Sequence, residues 1–269
     1  MKMTLEELQA GVVLPIDKPR QWTSFQAVNK VKAVVRNIYG LKKFKIGHAG
    51  TLDPLATGLL LVCLGKATKR IAELQEGDKV YTGTMVLGAT TPCFDMEQAI
   101  DARYPFEHIT PTLLAAGAER FVGTIMQVPP MYSAVKIDGQ RAYEYARTDD
   151  PSVTIQPKAV NVYSFEVTNY RIEATAGEAV EPIAEAGRKP PHLYDRPQCV
   201  IPSGLPRVDF RIGCGKGTYI RSIARDYGQS IGSGAFLESL RRERVGDYTI
   251  EQAIGLDEVE HFLKGEFRP

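Results

Sequence analysis

Apolar residues in this chain recur every second position in some stretches and every third or fourth in others, and the switches between the two periods mark out short strands and helices. Leu59 to Leu64 is an unbroken apolar run between Gly58 and Gly65, a strand's length and too short for a helix. Gly11 to Pro19 and Lys79 to Leu87 also read as strands, with Tyr81 on the face of Gly83, Met85 and Leu87. A capped turn is expected over Thr4 to Gly11, with Thr4 and Glu7 in capping-box spacing. Ser24 to Tyr39 predicts a helix that ends at Gly40 and buries a stripe of Phe25, Val28, Val31, Val35 and Ile38. Shorter helices are expected near Thr68 to Leu74 and over Thr110 to Arg120, the latter capped by Thr110 with Pro111 in its first turn.

Farther on, Tyr132 to Ile137 reads as a strand closing on a tight turn at Asp138-Gly139, and Lys158 to Glu173 as a strand pair. Arg171 to Pro206 holds six prolines and three glycines with little apolar periodicity, which predicts a peripheral loop insertion. Alternation resumes over Arg207 to Cys214. A glycine turn and a helix follow, with Thr218 as cap and Tyr219 and Arg221 in the first turn. One or two helices over Thr249 to Gly265 finish the chain. The fold class expected is α+β, a mixed and largely antiparallel central sheet with surrounding helices.

At 269 residues and 43% hydrophobic, the chain can bury a substantial core, and a single domain over 1–269 is expected. No segment approaches a membrane span and the N-terminus lacks a signal-peptide apolar region, so a cytoplasmic protein is expected. Cys63, Cys93, Cys199 and Cys214 form no CxxC pair, which points to free buried thiols rather than a metal site or disulfides. Net charge is only +1, but Lys18 to Arg70 contains eleven Lys or Arg against one acid, Asp53, so that segment is +10 and the remainder −9. Such asymmetry fits a face for a polyanion, or else basic helices that are merely solvated.

That one acid lies in the loop GHAGTLDPLATG, residues 47–58. Asp in a loop of this kind is commonly a turn residue bonding its own backbone. Here the following proline biases it towards extended geometry, and a rigid strand begins a few residues on, an arrangement that holds one carboxylate in a fixed direction. A P-loop is excluded: six residues separate Gly58 from Gly65 and Lys66 precedes Ala67, so the spacing and the Mg²⁺-binding hydroxyl are both wrong.

The string closely resembles the catalytic-aspartate motif of the TruB family of tRNA pseudouridine synthases. The resemblance continues in GVVLPIDKP, in the strand carrying Tyr81, in QVPPMYSAVKIDGQRAYEYAR and in GCGKGTYIRSIARDYG, and covers nearly the whole chain apart from the insertion. It implies a pseudouridine synthase fold and isomerisation of a T-loop uridine in tRNA, with Asp53 as nucleophile on a flipped-out base. Tyr81 then stacks on the uracil and Arg221 pairs with the catalytic aspartate. His48, Asp95, Tyr219 and Leu240 become substrate-binding residues. Nothing in the reaction needs a cofactor or metal. The implied partner is tRNA, through its T-arm and T-loop, for a monomer with no obligatory protein partner. One departure stands out: the family's Thr-Asp-Thr-x-Asp becomes Thr91-Pro92-Cys93-Phe94-Asp95. The chain also leaves too few residues after Leu240 for the PUA domain many members carry. A tRNA-binding folding factor on the same scaffold is the reading of a different class.

Overall fold

Strand formation starts from the run Thr57–Leu64, whose residues from Gly58 onward are all buried, as a strand covered on both faces requires. The computed structural model describes residues 2–133, 136–137, 140–145, 155–172 and 199–266. Along the chain these form α1 (Leu5–Ala10), β1 (Val12–Lys18), α2 (Ser24–Tyr39), β2 (Ile46–Ala49), β3 (Thr57–Leu64), α3 (Ile71–Glu76) and β4 (Lys79–Leu87). Then come β5 (Ala89–Thr90), β6 (Ala102–Arg103), α4 (Pro111–Glu119), β7 (Gly123–Gln127), β8 (Lys136–Ile137), β9 (Gln140–Arg141) and α5 (Ala142–Tyr145). The remainder is β10 (Lys158–Ile172), β11 (Pro206–Cys214), α6 (Ile220–Ser230), β12 (Ala235–Val245), β13 (Tyr248–Thr249), β14 (Ile254–Gly255) and α7 (Val259–Lys264). No helix among the described residues is long and apolar enough to cross a membrane.

The chain divides into two units, Met1–Tyr81 with Leu240–Pro269, and Thr82–Ser239. In the first, the strand order is β14-β1-β3-β12, with β2 also on β3. Strand β1 runs antiparallel to β3 from Val12↔Leu64 to Lys18↔Gly58, and β12 runs parallel to β3 through Arg242↔Gly58. Gly58 is required at that crossing. Its φ is +97°, and a Cβ would meet the Arg242 carbonyl oxygen at 2.4 Å. The core beneath groups Ala49, Leu59, Leu61, Cys63, Ala67 and Val245.

In the second unit the order is β12-β4-β11-β10-β7. All of these pairings with a described register are antiparallel, whereas β1/β14 and β3/β12 are parallel, so the fold is α+β with a mixed, largely antiparallel sheet. Helix α6, strand β10 and the turn after α4 supply an aromatic cluster in which Phe165 lies 5.1 Å from Tyr227 and 6.1 Å from Phe121, centroid to centroid. The Tyr227 hydroxyl donates to the Leu114 carbonyl at 2.9 Å, so the buried phenol is not orphaned.

Several expectations are corrected. The capping boxes at Thr4 and Thr23 and the left-handed Gly40 bound α1 and α2 as the periodicity implies. Yet the buried stripe of α2 is Ala27, Val28, Val31, Val34 and Val35, while Ile38 is half-buried and Phe25 is 69% exposed. Phe25 sits at the margin of the stripe, where helical rotation turns it outward. The stretch read as a strand pair at Lys158 to Glu173 is one long strand, β10. Its N-terminal part pairs with β7 and the rest with β11. Asn169, at φ +51°, lies within a register shift of β10 against β11, and its side-chain amide donates to Asp209. Of the expected strand at Tyr132 to Ile137, Lys136 and Ile137 form β8 and Tyr132 and Ser133 are not in a strand, while 134–135 and the turn Asp138-Gly139 lie outside the described residues. Of the expected insertion, Arg171 and Ile172 belong to β10 and Pro206 to β11, and Cys199, Ile201 and Leu205 are buried core residues. Residues 173–198 lie outside the described residues. All four cysteines are free and buried.

Truncating Phe165 to alanine removes the ring on β10 that packs against Tyr227 of α6 and Phe121. Urea denaturation of the Phe165→Ala variant should show a loss of about 3 kcal/mol or more, and a cost below about 1 kcal/mol would contradict this packing.

Candidate active site

Lys18 ends β1 with its side chain buried away from solvent. Three carbonyls receive its amine: Trp22 at 2.6 Å, Pro19 at 3.0 Å and Pro54 at 3.3 Å. Three donors on one nitrogen thus meet three acceptors from two chain segments. Two further ties join the same segments, because Gln21 donates its N–H to Pro54 at 2.8 Å and Ser24 Oγ both accepts from the Leu52 N–H and donates to its carbonyl. Asp53 lies between Leu52 and Pro54. Its carbonyl accepts the Ala56 N–H at 3.1 Å, closing a turn with Pro54 in the second position, where a fixed φ suits it. The half-buried aspartate is therefore held by its neighbours' backbone on both sides.

A second buried cation braces the loop from β12. Arg242 is 1% exposed, donates from Nε to the Leu59 carbonyl at 2.8 Å and from a terminal nitrogen to the Gly50 carbonyl at 3.0 Å. Gly50 takes φ +92°. Burial pushes the Lys18 amine down to about 7, Arg242 adds to the shift, and the negative charges of Asp53 and Asp17 oppose it. Desolvation and the Arg242 charge also hold His48 below the ordinary imidazole range. His48 lies on β2 opposite Val62, and its buried Nδ1 has no hydrogen-bond partner within the described chain. Tyr81 is buried on β4, and half-buried Leu240 on β12 accepts a long 3.5 Å hydrogen bond from Thr57.

In the second unit Arg221 is also buried. Its terminal nitrogens donate to Tyr132 at 2.9 Å and Cys93 at 3.2 Å, and its Nε lies 3.6 Å from an Asp95 carboxylate oxygen. Asp226, one turn along α6, pairs instead with Arg225. Asp95 also accepts the Glu97 N–H at 2.9 Å, and its carbonyl takes the Thr91 hydroxyl at 2.7 Å and the Cys93 thiol. The departed Thr91 to Asp95 motif thus closes around its last acid. Thr218 does not cap α6: its hydroxyl turns back to the Gly215 carbonyl, and the helix begins one residue later with Tyr219 as its N-cap. Gln127 does the holding, its amide accepting the Tyr219 N–H at 2.8 Å and donating to its carbonyl at 3.1 Å.

His48, Asp53, Tyr81 and Leu240 therefore belong to the first unit, and Asp95, Tyr219 and Arg221 to the second. Sequence reading missed Lys18 as a buried clasp, counting it with the polyanion face, and missed Arg242 and Gln127 altogether. A lysine within an apolar strand and before a proline was the available signal for Lys18. No group of three or more His, Cys, Asp or Glu among the described residues is placed to hold a metal.

Residues 36–181, just over half the chain, match the N-terminal domain model of TruB family pseudouridylate synthases. The chain belongs to the TruB family. A Flavobacterium johnsoniae protein named tRNA pseudouridine synthase B is 46% identical over 263 residues, 97% of this chain and 100% of that one. A Phocaeicola vulgatus protein of the same name is 42% identical, covering 94% of this chain and 93% of its own. Among solved structures, a Cbf5-Nop10-Gar1 complex superposes with a TM-score of 0.62 at 26% identity over 97% of this chain. An H/ACA RNP bound to a substrate RNA containing 2′-deoxyuridine gives 0.58 at 25% over 96%. The chain spans a little over half the length of those two chains, 58% and 56%. The matched 36–181 segment contains His48, Asp53, Tyr81 and Asp95 of this TruB family chain, whereas Tyr219, Arg221 and Leu240 lie beyond it.

A lysine whose folded proton affinity is depressed contributes stability that is complete above its unfolded value near 10.5 and is lost as pH falls through about 7. Lys18→Met should be less stable than wild type at every pH, since it orphans three carbonyls. The gap between the two, followed by urea denaturation, should widen from pH 7 to pH 10. A gap that stays constant would mean that the amine keeps its ordinary proton affinity.

Proposed function

We propose that this chain converts a T-loop uridine of tRNA to pseudouridine, with Asp53 as the nucleophile. The observation that carries the reading is the Asp53 loop. The GHAGTLDPLATG string is pinned by Lys18, Ser24 and Arg242, so that one carboxylate is presented in a fixed direction. Family membership and relatives named tRNA pseudouridine synthase B support the substrate and the reaction.

In the reaction the C1′–N1 bond breaks, the uracil turns and a C1′–C5 bond forms. C5 loses its proton and N1 gains one, so no electrons are exchanged and no redox cofactor is consumed. A carboxylate nucleophile serves by capturing the sugar at C1′, by adding to the base, or by assisting deprotonation at C2′. Each route needs the base out of its stack, at a cost of a few kcal/mol that contacts to the extruded nucleotide offset. Tyr81 is proposed as the stacking face for the uracil and Leu240 as an apolar wall. His48, neutral at physiological pH because desolvation and Arg242 disfavour its charge, is proposed as an RNA contact rather than a proton carrier. Asp95 and Tyr219 are proposed as substrate contacts, and Arg221 as a catalytic residue supplying positive charge. Exposed Lys30, Arg36, Lys42, Lys43 and Lys45 suit the phosphate backbone.

Tritium release from an unmodified tRNA transcript labelled at uracil C5 tests the proposal. Wild type should release tritium, and Asp53→Asn should release none while binding tRNA within several-fold of wild type. A transcript with cytidine at the T-loop target should also yield none. Because the Asp53 charge supports the proton on Lys18, the melting temperature of the variant must be measured alongside, separating lost chemistry from lost folding. Binding and remodelling of tRNA without release by wild type would favour the folding-factor reading. For Arg221→Lys we expect at least a tenfold loss of release, since one ammonium cannot reproduce the planar set of contacts to Cys93, Tyr132 and Asp95. Activity close to wild type in that variant would remove Arg221 from the proposal.

A further inference from the structure

Phe25 occupies the first turn of α2 with 69% of its surface exposed, the largest exposure among the described large hydrophobic residues. An exposed apolar side chain is ordinary by itself. What distinguishes this one is how firmly its backbone is placed, and beside what. Thr23 Oγ accepts the Gln26 N–H at 3.1 Å and Gln26 Oε1 accepts the Thr23 N–H at 2.7 Å, which fixes the start of the helix. Ser24, between Thr23 and Phe25, exchanges two hydrogen bonds with the Leu52 backbone at 2.9 and 3.1 Å. Phe25 follows that tie on one strand of chain and Asp53 follows it on the other, each one Cα step of about 3.8 Å away. The aromatic ring is thus anchored next to the loop that presents the candidate nucleophile.

The surroundings select the ligand. Phe25 lies within the Lys18 to Arg70 segment, where eleven basic residues face one acid, and its exposed neighbours along the chain include Arg20 and Lys30. Such a field disfavours an apolar protein surface and favours a polyanion that also offers flat apolar faces. Single-stranded RNA is that combination, and unpaired bases in loops are bound by stacking on aromatic side chains.

We propose that Phe25 is a stacking platform for an unpaired nucleobase of the RNA substrate, one adjacent to the uridine presented to Asp53. The inference rests on the reading of this chain as a T-loop uridine synthase and adds to it a binding residue outside the catalytic set. Stacking needs a π face, so Tyr should substitute for Phe whereas Leu, similar in apolar area, should not.

The test compares wild type with Phe25→Ala, Phe25→Leu and Phe25→Tyr, reading KM and kcat for tritium release, affinity for the unmodified transcript, and melting temperature. Ala and Leu should raise KM and weaken binding by about tenfold, with kcat within about twofold of wild type, and Tyr should restore both. Melting should be unchanged, because the ring is solvated in the free protein. Wild-type KM in Phe25→Ala, full affinity in Phe25→Leu, or a fall in melting temperature that accounts for the loss would each overturn the proposal. Inactivity of the wild type would sink the synthase reading instead, and the transcript affinities of wild type and Phe25→Ala would then still decide whether the ring contacts RNA.

Discussion

Lys18 is an amine buried away from solvent, and the geometry of the Asp53 loop follows from how its donors are accommodated. Desolvating an ammonium is costly enough that it survives only with every donor used. The acceptors here are carbonyls from Pro19, Trp22 and Pro54, so satisfying the charge and folding the loop are one event. Asp53 supplies the opposing charge that favours the protonated amine, which gives the carboxylate a structural part besides any chemical one. Arg242 reaches the same loop from β12 through Gly50, and its repulsion of Lys18 makes that balancing charge more necessary.

Polar side chains organise backbone in the second unit as well. Arg221 gathers the carbonyls of Cys93 and Tyr132 beside Asp95, and Gln127 clamps both backbone groups of Tyr219. Ser222 and Arg225 both donate to the Val128 carbonyl, extending the same strapping along α6. A buried polar group arranged this way contributes less to net stability than apolar packing would, yet removing one partner leaves others unpaired. Such positions specify one loop conformation at some expense of stability. That is the trade expected where a reactive group must be held in place.

What was legible in the sequence were the features with local causes. Capping residues at Thr4 and Thr110, the glycine stop at Gly40 and the apolar run of β3 set element boundaries through interactions within a few residues. The Asp53 loop was legible as a motif, and family membership follows from comparison of the whole chain. Features with distant causes were not. Periodicity could not show that Phe25 falls just off the buried stripe, because that is decided by what the stripe packs against. Nor could it show that Lys18 and Arg242 turn inward, since the carbonyls that receive them include ones 36 and 183 residues away along the chain. Thr218 was misread as a cap because the competing acceptor, the Gly215 carbonyl, offers its hydroxyl a local bond of its own.

These corrections change how the basic segment is understood. Its net charge drew attention as a polyanion face, but the eleven cations divide into different roles once placed. Lys18 is internal and braces the loop, and Arg70 is engaged with Glu73. Lys30, Arg36, Lys42, Lys43, Lys45, Lys66 and Lys69 remain exposed. Long-range attraction depends on the sum of these charges and falls with salt, whereas loop geometry depends on a buried one that salt hardly screens. The two functions can therefore be varied independently, since a substitution at an exposed lysine alters encounter with an anionic partner and leaves the carboxylate where it is. A substitution at Lys18 does the reverse. A single run of sequence thus carries both a field that attracts anions and the fixed placement of the Asp53 carboxylate, with burial deciding which residue does which.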